Sequence, residues 1–291
     1  MGGRKSVFFL PKQRLAYAVG ALALWLHGAA ELAAVAPAYT ASSIVHAASG
    51  ASSVLVPNGL ATIYGTNLSA VTMALTGDEV RGGALPTVLL SSGVRVTVNG
   101  LLAHILYVSP TQVNFLAPSL LQPGPATVEL TRTGLTGGAV RVMVAECAPG
   151  LFLAKPGVAV ATRADGRLIT ESAPAEAGEV VVLYATGLGE TVPGTEYGRV
   201  ASMAAWVKNR ERFAVILDGR TVEGGVLYAG VTPGFAGLYQ VNVKLPEWTG
   251  PNPEIRLMGG DAVSPVGVRL PVAGRVGSAA GTGAAAGAST Q

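Results

Sequence analysis

The chain writes one passage twice. "ATIYGTNLS" at 61–69 aligns with "VVLYATGLG" at 181–189, which sets Tyr64 and Tyr184 apart by 184 − 64 = 120 residues. Asn99 and Asp218 are then 119 apart, Tyr107 and Tyr228 are 121 apart, and both Gln112/Gln240 and Pro118/Pro246 are 128 apart. "YVSPTQVNFLAP" (107–118) and "GLYQVNVKLP" (237–246) each hold Gln-Val-Asn in an apolar run that ends at proline. Landmarks kept in one order imply one fold built twice, with an added loop, "GVTPGFAGLY", in the second copy.

The unit is made of short strands. Val94, Val96 and Val98 alternate with Arg95 and Thr97, the period of a strand with one buried and one wet face. "VRVTV" then Asn99-Gly100 then "LLAHILYV" reads as a hairpin, as does "FAVIL" then Asp218-Gly219 then "RTVEGGVLYA". A two-residue type I′ turn needs positive φ at both central positions, which Asn-Gly and Asp-Gly tolerate. No segment keeps a helical period with caps; "RVASMAAWVKNRERF" (199–213) is the one candidate for a short helix. The expected fold is all-β: two tandem immunoglobulin-like β-sandwich domains, 54–147 and 148–272. A single continuous barrel is the alternative. Residues 39–53 read as a flexible lead-in, and 273–291 as a disordered Ala/Gly-rich tail.

The repeated amides are Gln112 and Asn114 in one copy and Gln240 and Asn242 in the other. Two apart on a strand, each pair shares a face. Their apolar neighbours predict buried amides bonded to a bulge or to backbone of their own domain, because an unpaired buried amide costs about 1–3 kcal/mol. The alternative is an exposed pair that meets a ligand.

The first residues read as an export signal. Arg4, Lys5, Lys12 and Arg14 precede the apolar run "LAYAVGALALWL" (15–26) and then small residues. Ala36-Pro37-Ala38 and Gly28-Ala29-Ala30 are the candidate cleavage sites, giving a signal peptide over 1–38. An uncleaved anchor is the alternative; Glu31 within the run argues against it. The leader holds four basic residues and one acidic one, so the remainder has 20 − 4 = 16 basic and 17 − 1 = 16 acidic residues. A neutral mature chain has no electrostatic footprint for nucleic acid, and no membrane span is expected in it.

Catalytic and metal-binding patterns are sparse. Of the histidines only His46 and His104 follow the leader, and Cys147 is the one cysteine. G-x-S-x-G, a calcium loop and a zinc-spaced His/Cys cluster are absent from the sequence. Glu129, Glu146, Asp165, Glu179, Asp218 and Glu223 fall mostly at turns. The mixed-sign run "KNRER" (208–212) reads as a solvated loop. Tyr197, Trp206 and Trp248 fall in loops of the second copy and are the candidate contacts to a ligand or partner.

"IYGTNLS" resembles the opening strand and turn of IPT/TIG-like immunoglobulin-fold domains. "APGLF" (148–152), "GEVVVLYATGLGE" (178–190), "VTPGFAGLYQVNVKLP" (231–246) and the "GG" and "S" of 259–264 resemble an uncharacterised C-terminal domain family of secreted acidobacterial (Solibacter-type) proteins. The resemblance implies an exported β-sandwich pair and brings no catalytic residues. The expectation is therefore a non-catalytic exported module, periplasmic, cell-surface or secreted, that binds, adheres or is structural. Its partner would be a protein or a glycan, with no cofactor and no metal. The alternative is a secreted glycan-active enzyme that uses loop carboxylates.

Overall fold

The structure is a computed structural model that describes residues 35–274. The parts of the expected leader (1–38) and tail (273–291) that fall on residues 1–34 and from 275 on lie outside the described residues. The described chain is all-β, as the alternation of its apolar residues requires. The first sandwich comprises β1 (Ile44–His46), β2 (Val54–Leu55), β3 (Leu60–Tyr64), β4 (Met73–Ala74), β5 (Val94–Val98), β6 (Leu101–Leu102), β7 (His104–Val108), β8 (Gln112–Leu116), β9 (Gly124–Arg132), β10 (Leu135–Thr136) and β11 (Val140–Val144). One sheet runs β1-β3-β8-β7-β4 and the other β2-β11-β9-β5-β6, with β10 folded back on β9. Only β2 and β11 pair in parallel in this sandwich.

The second sandwich comprises β12 (Gly150–Leu151), β13 (Leu153–Lys155), β14 (Val158–Ala159), β15 (Ala161–Arg163), β16 (Val180–Thr186), β17 (Thr191–Val192), β18 (Trp206–Val207), β19 (Phe213–Leu217), β20 (Arg220–Thr221), β21 (Val226–Val231), β22 (Tyr239–Lys244), β23 (Ile255–Gly259) and β24 (Ala262–Val263). Its larger sheet runs β12-β16-β22-β21-β18-β17, with β15 also on β16, and the other runs β20-β19-β23-β24.

Each sandwich closes on its own core. Ile63, Val113 and Phe115 of one sheet meet Val96, Val128 and Val142 of the other in the first. Leu183, Val241 and Val243 meet Val215 and Leu257 in the second. Val94, Val96 and Val98 are all fully buried while Arg95 is exposed, so β5 follows the period of two. Burial of each such side chain contributes about 1.5–3 kcal/mol.

The strand pairings coincide between copies. Tyr64 pairs Gln112 and Thr62 pairs Asn114; Tyr184 pairs Gln240 and Val182 pairs Asn242. Both turns are left-handed, at Asn99 with φ 49° and at Asp218 with φ 45°, but the expected return strands are cut short: only Leu101–Leu102 and Arg220–Thr221 pair back, and β7 and β21 cross to the opposite sheet. Asn99 Oδ1 accepts the Thr127 N–H at 2.8 Å, and Asp218 Oδ1 accepts the Glu254 N–H at the same distance. The pairing also slips once in each copy, between Ile105 and Tyr107 against β8 and between Val226 and Tyr228 against β22. The slip is a β-bulge. In a regular strand Tyr107 would share the inward side of Ile105, two residues before it. The bulge turns Tyr107 and Tyr228 to the outer face, opposite Asn114 and Asn242.

Two expectations are corrected. Residues 39–53 are not a flexible lead-in. Tyr39 Oη accepts the Leu130 N–H at 2.7 Å, Ile44 is fully buried, and β1 pairs β3. The small polar residues there conceal one apolar anchor per few positions. The stretch 199–213 is not a helix beyond the single 3-10 turn Arg210–Arg212; β18 forms within it because Trp206 pairs Gly230 of β21.

Candidate functional site: the junction cleft and the outer faces

The sandwiches meet through the ends of β3, β8 and β16. Leu60 N donates to Thr186 Oγ1 at 3.1 Å, and Thr186 Oγ1 donates to Gly237 O at 2.7 Å. Leu116 is fully buried, and a Cβ added at Gly237 would fall 2.5 Å from it. Asn58 Nδ2 donates to Thr195 Oγ1 at 2.7 Å, and Leu85 N to Gly198 O at 2.7 Å. The His46 ring is 1% exposed at the same seam. Its Nδ1 accepts the Ser49 N–H at 3.1 Å, so the neutral ring carries its proton on Nε2, which has no partner. Burial pushes the His46 pKa down to about 4. Gly187, at φ +76°, lies against that nitrogen, where a Cβ would collide with His46 Nε2 and Ala148 O.

Beside this seam a cleft of about 490 Å3 opens between the sandwiches. Ligand pockets commonly have volumes of about 300–1,000 Å3 and favour domain interfaces. Leu121 and Pro57 come from the first sandwich, and Leu188, Val207 and Phe213 from the second. Around them stand Glu146, Glu190, Lys208, Arg212 and Asp261. Lys208 Nζ donates to Glu190 Oε2 at 2.7 Å, and Arg212 Nη2 to Asp261 Oδ1 at 2.6 Å. All four side chains are more than half exposed, so each pair holds loosely and its members are free to re-pair with a ligand. Lys208 and Arg212 belong to the run read as a solvated loop; only the long-range fold makes them a rim.

Cys147 lines the cleft, but burial, reinforced by Glu146, pushes its pKa up to about 12, so it stays a thiol. A nucleophilic cysteine needs the opposite shift. Of the six loop carboxylates in the enzyme alternative, only Glu146 lines the cleft. Asp165 holds Arg167, Glu179 holds Arg163, and Asp218 caps its turn. His104 donates from Nδ1 to Leu85 O at 2.8 Å and packs under Tyr197. Among the described residues no group of three or more His, Cys, Asp or Glu side chains could hold a metal ion. No described helix is long and apolar enough to cross a membrane.

The repeated amides are half-buried, and they face outward. Gln112 Nε2 donates to Asn114 Oδ1 at 2.8 Å, and Gln240 Nε2 donates to Asn242 Oδ1 at 3.2 Å. The expected bond to backbone is replaced by a bond between the two amides, which their shared face makes available. Thr62 Oγ1 adds a second bond to Asn114 Oδ1 at 3.1 Å.

The three candidate aromatics are in three settings. Tyr197 is a junction strut: its hydroxyl donates to Leu102 O, and its ring meets His104 edge-on at 4.5 Å. Trp206 is on a strand, edge-on to Tyr228 at 4.9 Å, with the Arg210 guanidinium 5.0 Å from its ring. Trp248 is 39% exposed beneath the Arg220 guanidinium, 4.2 Å away, beside a shallow hollow. The structure does not bring the three together.

Fold and site together define an all-β protein of immunoglobulin-like sandwiches joined around a cleft. No protein-family model matches the chain, and no curated protein matches it. Among solved structures it is similar to the Bacteroides ovatus mixed-linkage glucan utilization locus SGBP-B in complex with a mixed-linkage heptasaccharide. That match has 11% identity and a TM-score of 0.32, over 76% of this chain and 42% of that one. The surface glycan-binding protein PbSGBP-B from Prevotella bryantii matches at 10% identity and a TM-score of 0.24, over 81% of this chain and 42% of that one. The Yersinia pseudotuberculosis adhesin InvE matches at 13% identity and a TM-score of 0.21, over 81% of this chain and 60% of that one. The chain thus spans less than half the length of the two glycan-binding proteins.

Proposed function

We propose that this chain is an exported, non-catalytic β-sandwich protein that serves as a binding, adhesion or structural module at the cell envelope or outside the cell. Its ligand, a protein or a glycan, would enter the junction cleft. The observation that carries this reading is the composition of that cleft: an apolar floor, a rim of exchangeable ion pairs and a thiol held protonated. Resemblance to the C-terminal domains of secreted acidobacterial proteins supports export. So does the leader, for which cleavage after Ala30 fits better than cleavage after Ala38. Ala38 and Thr66 exchange backbone hydrogen bonds of 2.9 Å, and Arg132 Nη2 donates to Val35 O at 2.9 Å, so residues 35–38 belong to the sandwich.

The test combines N-terminal sequencing with capture. Exported protein should begin at Glu31; intact Met1 on a cytoplasmic protein contradicts export. Immobilised protein should capture an envelope or medium component, and a Lys208→Ala, Arg212→Ala double variant should lose it. Hydrolysis of a glycan by the wild type, abolished in Glu146→Gln, would replace this reading with the enzymatic one.

A further inference from the structure

We propose that the outer face of the second sandwich, from Tyr184 across to Trp206, is a binding platform for a neutral glycan chain, distinct from the junction cleft. Strand pairing sets Tyr184, Gln240, Gly230 and Trp206 in one row across β16, β22, β21 and β18. Three strand spacings of about 4.8 Å make that row about 14 Å wide, the reach of a short oligosaccharide. Asn242 and Tyr228 stand side by side in the neighbouring row.

Gly230 leaves a gap in the row, and the Tyr228 ring fills it. A Cβ at Gly230 would fall 2.5 Å from Tyr228 Oη. That hydroxyl donates to Val231 O at 2.7 Å and approaches Ala205 O at 3.1 Å, which fixes the ring across the strand. Trp206 meets it edge-on at an interplanar angle of 67°. The result is a fixed aromatic surface with little side-chain freedom left to lose on binding. A pyranose ring offers an apolar C–H face and a belt of hydroxyls. Aromatic rings take the first. The amides take the second, because the internal bond uses Gln240 Nε2 and Asn242 Oδ1 and leaves an acceptor, Gln240 Oε1, beside a donor, Asn242 Nδ2.

Charge narrows the choice further. The row itself is uncharged; one cation, Arg210, stands by Trp206 at one end, and Lys244 lies off the row, along β22 beyond Asn242. A nucleic acid or an acidic chain needs several cations along its path. An extended peptide would add to a sheet edge, where backbone groups are unpaired, rather than lie on a face. A neutral polyhydroxyl chain is the occupant that an aromatic–amide strip satisfies.

The test is affinity electrophoresis of the whole protein in native gels that contain mixed-linkage β-glucan, xylan, galactomannan or hydroxyethylcellulose, with pectate and heparin as charged controls. At least one neutral polysaccharide should retard the wild type. Tyr184→Ala and Gln240→Glu should each raise the apparent Kd at least tenfold with unchanged circular dichroism. The second variant keeps the shape of the side chain should the first fail to fold. Lys208→Ala, in the cleft, should migrate as wild type, which separates this platform from the proposed cleft ligand. Retardation by none of the neutral polymers, or only by the charged ones, overturns the platform. So does retardation that both face variants keep or that Lys208→Ala loses.

Discussion

In the first sandwich Asn114 accepts two side-chain hydrogen bonds, from Gln112 and Thr62; in the second Asn242 accepts one, from Gln240, because Val182 stands where Thr62 does. The difference continues along the faces. In the first copy the row Leu60–Leu116–His104 is covered by Gly237 and Tyr197 of the second. In the second copy the row beyond Asn242 ends at Val180 and the exposed Lys244. One copy has given part of its outer face to the junction, and the other keeps it open and widens it with Trp206. What repeats is local: the turn, the bulge and the amide pair. What differs is set by what covers the sheet.

The core should respond most strongly to substitution, and unequally. Phe115 and Val243 occupy equivalent inward positions, and both are fully buried. Phe115→Ala should cost about 3–5 kcal/mol and Val243→Ala about 2 kcal/mol, since the cavities differ in size. Urea denaturation of the two variants checks this; a larger loss for Val243→Ala would break the equivalence.

Acid should act on the junction next. His46 has a folded pKa of about 4 against an ordinary 6.5, so the unfolded chain takes the proton first as pH falls. Its contribution is full above pH 6.5 and is lost between pH 6.5 and 4, by about 3 kcal/mol in all. His104, also lowered by burial, adds in the same direction. Denaturation midpoints at pH 7 and pH 4.5 should differ in the wild type and differ much less in His46→Gln. An equal drop in both would place the acid sensitivity elsewhere.

The amides should show the smallest effect. Asn114→Leu strands two half-buried donors and should cost about 1–2 kcal/mol; Asn242→Leu strands one and should cost less than about 1 kcal/mol. Thermal melts of the pair rank them, and a reversed order would contradict the bonding described here.

The turns were legible because their signals are local, whereas the crossing of β7 and β21 to the opposite sheet, after each turn's short return strand, is set by long-range pairing with β8 and β22. Asn99-Gly100 and Asp218-Gly219 state their own φ, and Val94, Val96 and Val98 state their own face. The bulge was not legible: a single extra residue inverts the side on which Tyr107 and Tyr228 point, and nothing at Leu106 or Leu227 marks it. Sequence neighbours also mislead about the amides: the apolar residues beside Asn114 and Asn242 lie on the opposite face of the strand and do not bury them. The junction depends on pairs more than 90 positions apart, such as Tyr197 with Leu102, and His46 lay in a stretch too small and polar to announce a core.

The outward turn of Tyr107 and Tyr228 in both copies is tested most directly by hydroxyl-radical footprinting of the folded protein with peptide-level mass spectrometry. Tyr64, Tyr107, Tyr184 and Tyr228 should all be labelled, Tyr64 most because it is 47% exposed, while Tyr239, 1% exposed in the second core, should be protected. Protection of Tyr107 and Tyr228 to the level of Tyr239 would mean that both strands run without the bulge and that neither outer face exists as described.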